Sequence, residues 1–156
     1  MLKIIISVVK KEERGNNEED ENGIPEYYFK RKIEEPSDSL HFGRGNPWKF
    51  CGLIKISFRN NDEATILSYN ILENCLLVSA FKLLIKCFDD EKIEALIKNE
   101  FNSKYNETFE NIINSVEKYT YEYGVIIGPS NNEKYFTFEV DRFGNTYFMD
   151  GPGYPN

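Results

Sequence analysis

Three residues could in principle assemble a nucleophile: Cys51 as the thiol, His41 as its base and Asp38 as the carboxylate that orients the imidazole. His41 is the single histidine of the 156-residue chain, so any imidazole chemistry would have to use it. Nothing in the spacing draws the three together. Cys51 falls in a strand-like stretch and His41 in a glycine-containing loop, which reads as an ordinary strand thiol and an ordinary loop imidazole. One histidine, three dispersed cysteines (Cys51, Cys75 and Cys87) and scattered carboxylates match neither zinc-ligand spacing nor a calcium loop. No catalytic residue, metal or cofactor is therefore expected.

Two other constellations suit binding better than bond chemistry. The run His41-Phe42-Gly43-Arg44-Gly45-Asn46-Pro47-Trp48 has glycines that let backbone amides approach a ligand and an arginine able to clamp a carboxylate or phosphate. It lacks the third glycine and the following helix of a dinucleotide fingerprint. His41, Arg44 and Trp48 mark it as a ligand loop or as a glycine-permitted turn packed on the tryptophan. The second constellation is Tyr119, Tyr121 and Tyr123, which alternate with Thr120 and Glu122 beside Glu117. On a strand they would share one face, and tyrosine supplies large contact area at low entropic cost. Asp89, Asp90, Glu91 and Glu94 add acidity at the start of a helical pattern. Lys30-Arg31-Lys32 is a short basic run, but a net charge of −7 repels a phosphate backbone, so nucleic-acid binding is disfavoured.

The elements that must position these residues follow from periodicity. Length alone fits one domain over residues 1–156, with a core large enough to need no disulfide. Met1 to Val9 is too short for a signal peptide and runs into charged residues, so it reads as a first strand. Residues 12–23 carry no apolar anchor and read as a mobile acidic loop. Glu26 to Ile33 and Phe50 to Phe58 alternate as strands, with Phe50, Ile54, Ile56 and Phe58 on one face, and Ala64 to Tyr69 completes a hairpin unless residues 62–69 start a helix. Ile71 to Phe88 is apolar at nearly every position and predicts a central, well-covered helix. A second helix begins at Asp89 or Asp90, and a third carries Phe109, Ile112, Ile113 and Val116 at helical spacing. Tyr121 to Ile127, Tyr135 to Val140 and Thr146 to Met149 predict a closing meander with a turn over residues 141–145. The expected fold class is α+β: a mainly antiparallel sheet of about five to seven strands with about three helices packed on one face. No segment is long and apolar enough for a membrane span, and the thiol usage fits a cytoplasmic protein.

With 26 acidic against 19 basic residues, the surplus has a location. Residues 1–11 sum to +3, 12–22 to −5, 23–88 to +2 and 89–156 to −7, so the last helices and closing strands hold all of the net charge. A small acidic α+β domain with a tyrosine-rich rim and the hairpin Phe138-Glu139-Val140-Asp141-Arg142-Phe143-Gly144-Asn145-Thr146-Tyr147-Phe148 resembles the bacterial immunity proteins that neutralise polymorphic or contact-dependent growth-inhibition toxins. The resemblance implies a non-enzymatic inhibitor that occludes a cognate, basic toxin domain, such as a nuclease, by charge and shape complementarity. Its partner face would combine Asp89, Asp90, Glu91 and Glu94 with Glu117, Tyr119, Tyr121, Glu122 and Tyr123. The alternatives are a small-ligand or peptide-binding module on the His41–Trp48 loop and, behind it, an enzyme using Cys51 and His41.

Overall fold

The computed structural model describes residues 2–12, 29–30, 39–60, 63–88, 103–128 and 132–148. Within them lie three helices, α1 (Leu2–Glu12), α2 (Ile71–Phe88) and α3 (Ser103–Tyr123), and five short strands. The strands are β1 (Tyr69–Asn70), β2 (Val125–Ile127), β3 (Lys134–Phe136), β4 (Glu139–Val140) and β5 (Thr146–Tyr147). The α+β class is correct at this level. The single sheet with helices on one face is not what forms: β1-β4-β5 make one antiparallel sheet and β2-β3 a separate hairpin. The expected strand at Glu26 to Ile33, the acidic loop beyond Glu12 and the helix beginning at Asp89 lie outside the described residues, apart from Phe29 and Lys30.

The core is built between α2 and α3, where Phe81 and Phe109 meet with ring centroids 4.7 Å apart. Val78 and Phe81 of α2 face Phe109, Ile112, Ile113 and Val116 of α3, and Trp48, Leu53, Ile54, Tyr69 and Val140 close the cluster. Ile6 and Val9 of α1 join it. These two are three residues apart, so they lie on one face of a helix, while Ile4, Ile5 and Val8 are exposed. That overturns the first-strand expectation: the β-branched run pointed to a strand, but burying Ile6 and Val9 together requires helical spacing.

Phe50 to Phe58 forms no regular strand either, although Phe58 bridges Ala64 antiparallel where the hairpin was expected. Leu53, Ile54 and Lys55 are buried in succession, so the segment does not divide into one core face and one wet face as its alternation suggested. The backbone groups of this segment find other partners. Ile54 N donates to Asn74 Oδ1 at 2.9 Å, Asn74 Nδ2 donates back to the Ile54 carbonyl at 3.0 Å, and Lys55 N donates to the Glu12 carbonyl at the end of α1. Ile56 N donates to the Ser68 carbonyl. Asn74 is wholly buried on α2, so a helix side chain takes the place of a neighbouring strand.

Asn70 starts α2 by accepting the Glu73 amide on its Oδ1 at 3.0 Å, which satisfies one orphan donor of the first turn. α3 runs further than expected because its buried stripe continues from Val116 to Thr120. Gly124 ends it where a Cβ would lie 2.7 Å from Ile71 Cδ1 and from the Thr120 carbonyl. Residues 141–145 do form a turn: Asp141 Oδ1 accepts from Phe143 N and Asn145 N, and Oδ2 accepts from Asn145 Nδ2.

Candidate active-site loop

A buried ion pair ties together residues 80 positions apart in the chain. Glu139 sits on β4, the central strand of its sheet, opposite Asn70 on one side and Tyr147 on the other. Its side chain is 0% exposed, and both oxygens are engaged. Arg59 Nε donates to Oε1 at 2.7 Å, and the amides of Ile66 and Leu67 both donate to Oε2 at 2.8 Å. A buried carboxylate thus anchors one side chain and one loop at once. Arg59, 8% exposed, spans from Glu139 to Glu63, donating through Nη1 to Glu63 Oε2 at 3.0 Å. Its guanidinium carbon lies 5.3 Å and 5.5 Å from the ring centroids of Phe138 and Tyr147. Burial works against the arginine's charge, but hydrogen bonds and the charges of its carboxylate partners outweigh it and push its pKa above the ordinary value.

The consequence is a fixed loop. Arg59 N donates to the Glu63 carbonyl and Thr65 N to the Ser57 carbonyl, so the chain doubles back on itself while Glu139 grips its far end. Glu63 is the outward member of the triad, with 41% of its side chain exposed. The structure therefore presents a carboxylate to solvent on a loop whose backbone and counter-charge are both held from below. Asn46 joins this loop to the His41–Trp48 segment, donating through Nδ2 to the Ile66 carbonyl at 2.5 Å, and Ser68 Oγ donates to the Asn46 carbonyl at 2.9 Å.

The residues singled out from sequence fall in several places. His41 is exposed and packs edge-on against Phe42, with centroids 4.2 Å apart. Cys51 is buried in the core, and Asp38 lies outside the described residues. Trp48 is buried, with Lys55 Nζ 4.2 Å above its ring, and that ammonium donates to the Arg44 carbonyl at 2.6 Å. Burial lowers the pKa of Lys55 from its ordinary value, opposed by the charge of Glu12 and assisted by that of Arg44. Asp89, Asp90, Glu91 and Glu94 are outside the described residues.

Tyr119, Tyr121 and Tyr123 lie on the last turn and a half of α3, not on a strand. Helical geometry divides them. Tyr119 and Tyr123 stack at 5.5 Å with an interplanar angle of 4°, Arg142 covers Tyr123 at 3.7 Å, and Tyr119 lies against Gly52. Tyr121, 69% exposed, packs toward Phe136 instead. Glu117 is hydrogen-bonded to Lys82 of α2. Glu122 is exposed, and its hydrogen bond to Tyr123, followed by desolvation, raises that phenol's pKa against the opposing charge of Arg142.

Arg59, Glu63 and Glu139 were not singled out from sequence. Arg59 and Glu63 flank what reads as turn chemistry, and Glu139 occupies the polar position of an alternating strand. The one signal was a carboxylate between Phe138 and Val140 in a closing hairpin, which period-two reasoning assigns to the wet face.

Comparison with known proteins decides what this arrangement belongs to. The sequence model of the metal-independent alpha-mannosidases, glycoside hydrolase family GH125, matches residues 1–156. The chain belongs to the GH125 family. That membership corrects three expectations together: the resemblance to toxin-immunity proteins, the non-enzymatic inhibitor and its basic toxin partner. Composition and a single hairpin carried that resemblance, and neither is specific to immunity proteins. This GH125 chain is 26% identical to the meiotically up-regulated gene 157 protein of Schizosaccharomyces pombe over 157 residues, covering 97% of this chain and 29% of that protein. It also superposes on a metal-independent alpha mannosidase of Streptococcus pneumoniae, solved as a non-productive substrate complex with alpha-1,6-mannobiose. That match has a TM-score of 0.76 and 22% identity and covers 94% of this chain and 31% of the other, a likeness of fold. The chain thus spans under a third of either relative.

Proposed function

We propose that this chain takes part in hydrolysing α-linked mannose residues without a metal ion, and that Glu63 supplies one of the carboxylates the reaction uses. The family match over all 156 residues carries this reading, and the Arg59–Glu139 anchor supports the choice of Glu63. Glycoside hydrolysis without a metal rests on two carboxyl groups flanking the scissile bond. One protonates the departing glycosidic oxygen. The other either activates water or attacks the anomeric carbon, according to the distance between them. Either role demands a carboxylate held in place yet open to the substrate, because small displacements of a catalytic group cost orders of magnitude in rate. Glu139 and Asp141 are buried and saturated with protein donors, which suits anchoring. Glu63 is anchored by Arg59 and reaches solvent.

The test is hydrolysis of alpha-1,6-mannobiose by the protein and by its Glu63→Gln variant, in buffer containing EDTA. Turnover insensitive to the chelator and reduced at least about a hundredfold in E63Q is the expected result. Residual activity of E63Q confined to mannosides with good leaving groups would identify Glu63 as the proton donor. Rescue of Glu63→Gly by azide would identify it as the group that handles the nucleophile. Full activity in E63Q would remove Glu63 from the reaction.

A further inference from the structure

The loop that Asn46 ties to the Ile66 carbonyl, three residues beyond Glu63, carries a feature that its own packing does not explain. Phe42 is 81% exposed, the most exposed of the large apolar side chains described. It also sits at φ 49° and ψ 22°, in the left-handed region that a residue with a Cβ rarely occupies. Exposure and backbone strain are both unfavourable, and among the described residues the ring is backed by His41. The conformation is nevertheless firmly imposed. Gly43 N donates to the Leu40 carbonyl, Arg44 N and Gly45 N both donate to the His41 carbonyl, and Phe29 N donates to the Gly43 carbonyl. From below, Lys55 Nζ holds the Arg44 carbonyl. The loop is thus built to hold an aromatic ring out in water, and strain retained by surrounding structure is a mark of a ligand clamp.

We infer that Phe42, backed by the imidazole of His41, is a stacking platform for a hexopyranose ring of the glycan whose bond is cleaved beside Glu63. This rests on the mannosidase reading. A pyranose presents an apolar C–H face surrounded by hydroxyls, so it needs one aromatic ring with hydrogen-bonding groups around it. Phe42 has those surroundings: His41 is exposed, and Arg44 and Asn46 are partly so. A protein partner would call for a broader desolvated patch.

The experiment measures affinity for alpha-1,6-mannobiose by calorimetry in the Glu63→Gln background, with Phe42 intact or replaced by Ala, Gly or Tyr. Loss of the ring in F42A should weaken binding about tenfold, while F42Y should stay within about twofold. The thermal midpoint of F42G should equal or exceed that of the parent, because glycine relieves the positive φ. Equal affinity in F42A and the parent overturns the platform and leaves the mannosidase reading intact, since that is judged on turnover with Phe42 present. Loss of binding in F42Y, or a lowered midpoint in F42G, also overturns it by making the ring a structural element. A parent protein that hydrolyses mannobiose but whose affinity depends on none of these variants removes the platform alone. One that neither binds nor hydrolyses it removes both readings.

Discussion

Replacing Glu139 by alanine strips three donors of their acceptor at once: Arg59 Nε, Ile66 N and Leu67 N. Arg59 stays buried, with Glu63 as its remaining carboxylate partner. Breaking a buried pair in this way typically costs about 3–5 kcal/mol, because the surviving charge is stranded. Summing three lost hydrogen bonds at roughly 1–1.5 kcal/mol each gives a similar figure. Against a total stability of about 5–15 kcal/mol this is a large fraction. Urea unfolding followed by Trp48 fluorescence should therefore show the midpoint of E139A lowered by about 2 M, for a slope near 2 kcal/mol per M. Glu139→Gln keeps the shape, but its amide NH2 must face either Arg59 Nε or the two backbone amides, donor against donor, so it should recover only part of the loss. Arg59→Met combined with Glu139→Met removes the stranded charge and should be less destabilised than E139A alone. An E139A penalty below about 1 kcal/mol, or a double variant as unstable as the two single losses added together, would refute the idea that this pair anchors the Glu63 loop.

Two further outcomes follow from other parts of the molecule. Gly52 lies at φ +81°, and an added Cβ would fall 2.3 Å and 2.4 Å from Tyr119 ring carbons and 2.5 Å from Ser115 Oγ. Gly52→Ala should cost about 2–5 kcal/mol, combining left-handed strain with overpacking, and Tyr119→Ala in the same chain should return part of it in thermal melts. Lys55 has a lowered folded-state pKa, so the native state binds fewer protons than the unfolded chain between that value and the ordinary lysine value. Its contribution to stability therefore rises with pH across that alkaline window, and the difference between the parent and Lys55→Met, measured by denaturation at stepped pH, should grow in the parent's favour. A difference independent of pH would contradict it.

What could be seen in the sequence was what depends on near neighbours. The apolar run from Ile71 to Phe88 is a helix, and the stripe of Phe109, Ile112, Ile113 and Val116 lies on another. Asp141 makes its turn through contacts within four residues. Tyr119 to Tyr123 misled because alternating tyrosines imitate a strand, whereas the deciding position was Thr120, a small polar residue that extends the buried helical stripe. Segment 50–58 misled only in part: Phe58 does bridge Ala64 antiparallel, but Ile54 and Lys55 bond instead to the side chain of Asn74 and the end of α1. The candidate site was hidden for a related reason. Arg59 and Glu139 are 80 residues apart, and neither has a local pattern that marks it as buried.

The exchange between Asn74 and Ile54 also makes the segment around Ile54 depend on α2. A strand pairing can begin from two extended segments, but here the amide and carbonyl of Ile54 are satisfied by one side chain whose position exists only when α2 is wound. Asn74 is itself held by donating to the Asn70 carbonyl one turn back along that helix. Opening the first turns of α2 would therefore leave the amide and carbonyl of Ile54 without these partners. The central helix acts as a template for its upstream neighbour, so a kink or proline placed in its first turns would be read out at a loop more than ten residues earlier.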